Sequence, residues 1–406
     1  MARTVALLPA GSRLSDYVSL GLLATAVPLK VVQETLRKTR RASRRERDLP
    51  AYVVVYYVMA LALYMQSSYR EVLRCLLEGL LWLEGVAAAH KISGKSGISQ
   101  ARRRLGWEPL QELHDTVVTP VATAETKGAW YRQWRLVSLD GSTLEVADTA
   151  ENAAAFGRPS NQKGEGGYPQ LRFVSVVENG THVLFGSRLG RYQTAENTLA
   201  REVMVRLQPG MLCLADRLFL SYDSWLQAQK RGLDLLWRVS KTFLLPCEQR
   251  LEDGSYLSRL YRNSRDRKQR RQGIVVRVID YRLHQVAAAE PLYRVATTIL
   301  DPQRAPAAEL AALYHERWEL ETALDELKTH LRGARIVLRS KTPDLVRQEF
   351  YGLMLTHFAL RGLMHEAALQ AREDPDRLSY LHAVRIVRRK LPHYGAIPPS
   401  GQNRPA

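Results

Sequence analysis

The chemistry this chain could perform starts from three carboxylates. Asp140 and Asp216 each close a short apolar run, Trp134 to Asp140 and Met211 to Asp216. Read as strands, both runs place an acid at a carboxyl end, where a sheet opens a crevice. Neighbouring strands lie about 5 Å apart, so two such acids could share a divalent cation. A second reading is local: Asp140-Gly141-Ser142 is good turn chemistry, and Asp216 could pair with Arg217. The third acid is Glu321. Tyr314, Arg317, Glu321 and Lys328 stand at offsets 0, 3, 7 and 14 on a helix expected to start near Ala305. At 100° per residue they fall within about 60° of one another. Leu313, Leu320, Leu324, Leu327 and Leu331 form a second stripe roughly 80° away, which would pack the helix on a core. The plain alternative is an amphipathic helix with exposed ion pairs such as Arg317 to Glu321.

The composition narrows the partners. The chain has 406 residues, with 46% apolar and 25% charged, which excludes whole-chain disorder and suggests two or three domains. Lys and Arg number 59 against 41 acids, a net charge of +18. That excess points to a polyanion, either nucleic acid or an anionic membrane surface. Cys75, Cys213 and Cys247 show neither a CxxC pair nor a Cys/His zinc spacing, which favours a reducing cytoplasm over a disulfide or zinc framework. No signal peptide is read at Met1-Ala2-Arg3-Thr4. The longest apolar run, Ala51 to Met65, is short for a bilayer span and reads as a buried helix.

The elements that must position the acids follow in order. Residues 1–130 read as helical, with long apolar patterns over Ser15 to Val32 and Ala51 to Leu83. Between them Arg37, Lys38, Arg40, Arg41, Arg44, Arg45 and Arg47 form either a solvated face or a phosphate-binding patch. Ser93 to Gly97 reads as a loop. Its Gly94-Lys95-Ser96 lacks the earlier glycine of a nucleotide loop, since Ala89 stands there. Ser99 would cap a helix carrying Arg102, Arg103 and Arg104 and ending at Gly106: a DNA-recognition element or a plain surface helix.

From 131 to 241 the pattern is strand, hairpin, helix, strand, helix, strand. Leu171 to Glu178 and Thr181 to Leu189 form the hairpin around Asn179-Gly180. This order predicts a mixed sheet covered by helices. Residues 242–300 read as a β-rich insertion with basic loops, 301–391 as helices, and 392–406 as a flexible tail. His315, His330 and His357 read as surface or packing residues, and Trp237 as sheet core.

Tyr314-x2-Arg317-x3-Glu321-x6-Lys328 resembles the YREK signature of cut-and-paste DDE transposases of the insertion-sequence-four family. Leu139-Asp140-Gly141-Ser142 and Ala215-Asp216-Arg217-x-Phe219 are similar to that family's two aspartate motifs, and the likeness runs over about residues 15–390. The 105 residues between Asp216 and Glu321 suit the family's β insertion. The resemblance implies an α/β (α+β) fold, with a ribonuclease-H-like mixed-sheet core between a helical N-terminal DNA-binding domain and C-terminal helices. It implies that Asp140, Asp216 and Glu321 bind two Mg2+ (or Mn2+) ions and catalyse phosphodiester hydrolysis and strand transfer. Tyr314, Arg317 and Lys328 would then contact DNA phosphates, with Arg238 and Lys241 as weaker candidates beside Arg102, Arg103 and Arg104. The implied partners are double-stranded DNA, as terminal inverted repeats and target, and a second copy of the chain. No membrane partner is implied, and the implied place is the bacterial cytoplasm at the nucleoid. Competing readings are a metal-dependent nuclease with the same triad and a catalytically inactive DNA-binding repressor.

Overall fold

The structure is a computed structural model that describes residues 21–45, 49–84, 94–161, 164–240, 243–283, 290–315, 318–333 and 337–388. Its centre is a mixed sheet. β1 (Trp130–Tyr131) pairs with the start of β2 (Trp134–Glu145), and a small hairpin follows, β3 (Ser160–Asn161) with β4 (Gly164–Glu165). β5 (Gln170–Glu178) lies antiparallel beside β2, and β6 (Val183–Arg191) pairs antiparallel with β5 at the sheet's edge. On its other side β7 (Met211–Ala215) and β8 (Asp234–Arg238) run parallel to it. The helices Glu196–Val203 and Tyr222–Arg231 make the crossovers before β7 and β8. This is the mixed-sheet core the sequence order predicts.

The parallel strands are buried on both faces, which is why they read as unbroken apolar runs; all five residues of β7 are buried. Alternation along them divides the core in two. Val137, Leu139, Cys213, Ala215, Leu235 and Trp237 face one side, and Leu136, Leu212, Leu214 and Leu236 the other. Trp237 meets Trp225 edge-on at 6.1 Å within the first core, in keeping with its reading as core. None of the three cysteines is in a disulfide.

The strands expected as an insertion extend this same sheet. β9 (Gln249–Arg250), β10 (Tyr256–Leu260), β11 (Ile274–Tyr281) and β12 (Tyr293–Thr297) continue it antiparallel, with β12 paired to β8. The hairpin turn also differs from a two-residue Asn-Gly loop. Four residues, Asn179 to His182, connect β5 to β6, and Glu178 pairs with Val183. Gly180 has φ +76°, and a Cβ there would lie 2.4 Å from the Lys127 carbonyl, so only glycine fits.

The N-terminal helices Leu29–Lys38, Ala51–Leu63, Tyr69–Glu84, Lys95–Leu105 and Glu108–Val117 precede the sheet. The apolar run from Ala51 is a fully buried helix, and among the described residues no helix is long and apolar enough to cross a membrane. The basic helix starts at Lys95, four residues before Ser99, with Gly94 as its cap, and Gly106 at φ +72° ends it. The tail 392–406 lies outside the described residues.

The long helix Pro343–Ala371 packs on Ala51–Leu63, and Thr356 donates to the Met59 carbonyl at 2.9 Å. Gly352 makes that approach possible: a Cβ would stand 2.7 Å from Val58 Cγ1 and 2.9 Å from its carbonyl oxygen. Alanine recovers about 1 kcal/mol of helix propensity. The clash is with backbone on a buried helix, and overpacking of that kind costs about 1–3 kcal/mol. Gly352→Ala is therefore expected to lower the unfolding free energy by up to about 2 kcal/mol, measured from denaturant midpoints.

Candidate functional site: a row of strand-end side chains

β2 does not end at Asp140 as the apolar run suggests; it continues to Glu145. What ends there is its parallel neighbour. The β2–β7 pairing stops at Leu139 with Ala215, while the pairing with β5 goes on, Asp140 opposite Ser175. On the far side Ala215 pairs with Trp237. The next residue on each parallel strand is then Asp140, Asp216 and Arg238, a row of two carboxylates and a guanidinium about 4.8 Å apart strand to strand. Each acid is oriented by the amide that follows it: Gly141 donates to Asp140 Oδ1 at 2.8 Å and Arg217 to Asp216 Oδ1 at 2.7 Å.

The expected catalytic helix is described as Ala307–His315 and, past two residues outside the described set, Trp318–Asp325, which runs on into a π-helical turn, Glu326–Leu331. Leu310, Leu313 and Tyr314 pack in the second core, whereas Ala323, Leu324, Leu327 and Leu331 pack in the first. The chain crosses from one face of the sheet to the other between Tyr314 and Ala323, a passage that includes Glu321. From Glu326 on, the π turn advances by less than 100° per residue, so Lys328 sits off the angle that straight α-helical arithmetic gives it.

Tyr314 and Lys328 pin the crossing on either side. The Tyr314 hydroxyl donates to the Ala215 carbonyl at 3.2 Å, next to Asp216, and the side chain is buried. Lys328 Nζ donates to Ser142 Oγ at 2.9 Å, two residues beyond Asp140 on the same strand. Burial and the nearby Arg332 lower the Lys328 pKa, against the opposing pull of Asp325 and Asp140. Glu321 is exposed. Among the described residues no three His, Cys, Asp or Glu side chains converge closely enough to hold one metal ion.

Arg238 ion-pairs with Glu290 at 2.7 Å and lies 5.0 Å over the Tyr293 ring. Arg317 and Lys241 fall outside the described residues. The basic helix splits its arginines. Arg102 is 3% exposed and donates to Gln348 at 2.8 Å and Ser340 at 3.0 Å, so its guanidinium ties helices together, while Arg103 and Arg104 are exposed. Arg40, Arg41, Arg44 and Arg104 line a cleft of about 380 Å³ between the basic loop and this helix. His315 stacks edge-on to Tyr281 and Tyr293, and His357 is fully buried, both as packing residues. Sequence spacing gave no sign of the Lys328–Ser142 contact, of Glu290, or of Glu196, whose carboxyl group packs on Gly141 and pairs with Arg172 at 2.6 Å.

Paired carboxylates at adjacent parallel strands, with cations beside them, are the kind of arrangement that phosphoryl chemistry uses. Residues 17–115 match the family described as Insertion element 4 transposase N-terminal, and residues 132–359 match Transposase DDE domain. Transposase InsG for insertion sequence element IS4 of Escherichia coli (strain K12) is 27% identical over 371 residues, covering 89% of this chain and 80% of that protein. Putative transposase InsZ of the same strain is 26% identical over 218 residues, 53% of this chain and 70% of that protein. A solved piggyBac transposase synaptic complex with hairpin DNA aligns over 93% of this chain and 81% of its own at 10% identity, with a TM-score of 0.47. The chain belongs to the insertion-sequence-four family of DDE transposases, DNA-cleaving enzymes that depend on divalent metal.

Proposed function

We propose that Asp140, Asp216 and Glu321 form the catalytic triad, and that the enzyme hydrolyses phosphodiesters at the element's ends and joins the freed 3′ ends to target DNA. The observation that carries this reading is the common register of Asp140 and Asp216, each the first residue past the point where the parallel pairing of β2 with β7 stops, flanked by Tyr314 and Lys328. A donor set of carboxylate oxygens fits hard cations, and two Mg2+ or Mn2+ ions would be held by these acids. When bound, the metal supplies a Lewis acid for the attacking and leaving oxygens. Glu321, on the crossing segment, would close on the aspartates when DNA and metal enter.

The other side chains have separate roles. Lys328, held by Ser142, presents a cation to a phosphate beside Asp140. Tyr314 fixes the backbone before Asp216 and, with Arg317 and Lys241, borders the DNA path. Arg103, Arg104 and the arginines of the cleft beside them would track the duplex backbone. The protein would act in the bacterial cytoplasm at the nucleoid, as a homodimer with one site per end.

The test is incubation with linear DNA carrying the element's own ends, with and without Mg2+ or Mn2+. Cleavage followed by joining is expected with metal, and neither in chelator. Cleavage without joining in the presence of target DNA would favour a nuclease. Binding with no chemistry would favour a repressor.

A further inference from the structure

Arg217 and Arg238 share a single carboxylate at the end of the catalytic row. Glu290 Oε1 lies 2.7 Å from Arg238 and 3.9 Å from Arg217. The three side chains, with Val239, Ser240 and Arg294, line a cavity of about 240 Å³. Arg294 is committed elsewhere, to Asp280 at 2.7 and 2.9 Å. Arg238 is held from a second side by the Tyr293 ring, itself stacked on Tyr281 at 5.4 Å. Its position therefore does not depend on Glu290. The Glu290 side chain is about one-third exposed and comes from a chain segment entering β12, not from the catalytic strands.

Two guanidinium groups around one acidic group, Arg238 held by the Tyr293 ring and Arg217 half-exposed, beside the strand ends where a phosphodiester would lie, match phosphate in charge and geometry. We propose that Arg217 and Arg238 form a binding site for a DNA backbone phosphate, and that Glu290 occupies it in the free protein as a built-in competitor. DNA must displace the carboxylate to seat its phosphate. Glu290 thereby lowers affinity for any duplex that seats a phosphate there. The inference rests on the DNA-cleaving reading above and assigns a step before cleavage.

The sign of one substitution separates competition from support. Glu290→Gln removes the charge and keeps the shape. As a competitor lost, it is expected to tighten binding of linear duplex carrying the element ends by roughly three- to tenfold at fixed salt in chelator. If Glu290 merely props Arg238, the same change weakens binding. Glu290→Asp keeps the charge and is expected to stay near wild type, which guards against a folding artefact in the Gln variant. In an Arg238→Ala background Glu290→Gln is expected to give no gain. Unchanged or weaker binding by Glu290→Gln, with wild type binding the duplex, overturns the competitor alone. No binding of the duplex by wild type overturns the DNA reading and the competitor together.

Discussion

Asp140→Ala is expected to abolish cleavage and joining together, with a rate loss of roughly 10³-fold or more, about 4 kcal/mol of transition-state stabilisation. The size follows from position. Asp140 sits on the central strand, at the first register where β7 has ended and β5 still pairs. Its backbone ladder to Ser175 does not need the side chain, so the sheet survives the substitution, and thermal unfolding is the control. DNA binding is expected to persist or tighten, because a negative charge is lost beside the Lys328–Ser142 pair. Asp216→Asn is expected to behave alike, by the equivalence of the two strand ends. Glu321→Gln tests the third member separately, since its side chain is exposed in this structure. A loss of similar size means that it belongs to the triad. Full cleavage by this variant removes Glu321 from the triad, and full cleavage by Asp140→Ala removes the site.

The legible and illegible parts of this chain differ in the range of the physics behind them. Apolar runs of strand length revealed β2, β7 and β8, because strands buried on two faces must be apolar throughout. The acids closing two of those runs were visible for the same reason. The helix carrying Glu321 was found by its leucines, yet its π turn and its passage between two cores were not. Angular arithmetic assumes one straight axis and one core, and Leu313 and Leu324 turn out to pack in different cores. The three arginines from Arg102 to Arg104 look equivalent in a row. On a helix they splay over 200°, so one of them turns inward, and it is Arg102 that finds Gln348, 246 residues away. Long-range ionic contacts such as Arg238 with Glu290 leave no periodic trace at all.

The same holds for the most buried ionic cluster, and there the expected effect on stability is largest. Glu326 opens the π-helical turn that carries Lys328 and is 4% exposed. Arg361 of the long helix grips both its oxygens, with Nε at 2.8 Å from Oε2. His182 of the β5–β6 loop lies 3.2 Å from Oε1 and reaches Asp376 at 3.0 Å on its other side. Glu326→Ala leaves Arg361, 1% exposed, without its counter-charge, and breaking a buried pair in this way costs about 3–5 kcal/mol. Glu326→Leu combined with Arg361→Leu is expected to cost less than the sum of the two single changes, since no orphan charge remains. Denaturant midpoints measure all three variants, and additive losses would refute the coupling.

The cluster also sets a pH limb. Burial raises the Glu326 pKa, but bonds from His182 and His357 and the charge of Arg361 outweigh it and hold the carboxyl well below its usual range. A carboxyl depressed in the folded state adds stability above its unfolded value, about 4.3, and that stability is lost as pH falls further. Burial lowers the His357 pKa, so its contribution also fades in acid, starting below about 6.5. His182 acts in the other direction. Burial lowers its pKa, Asp376 and Glu326 raise it further, and its contribution fades as pH climbs through the raised value. Glu326→Gln is therefore expected to flatten the stability profile below about pH 4.3, where wild type declines. Because this carboxylate anchors the turn that brings Lys328 to Ser142, the loss of stability is expected to appear with slower end cleavage, even at a pH where the variant is fully folded.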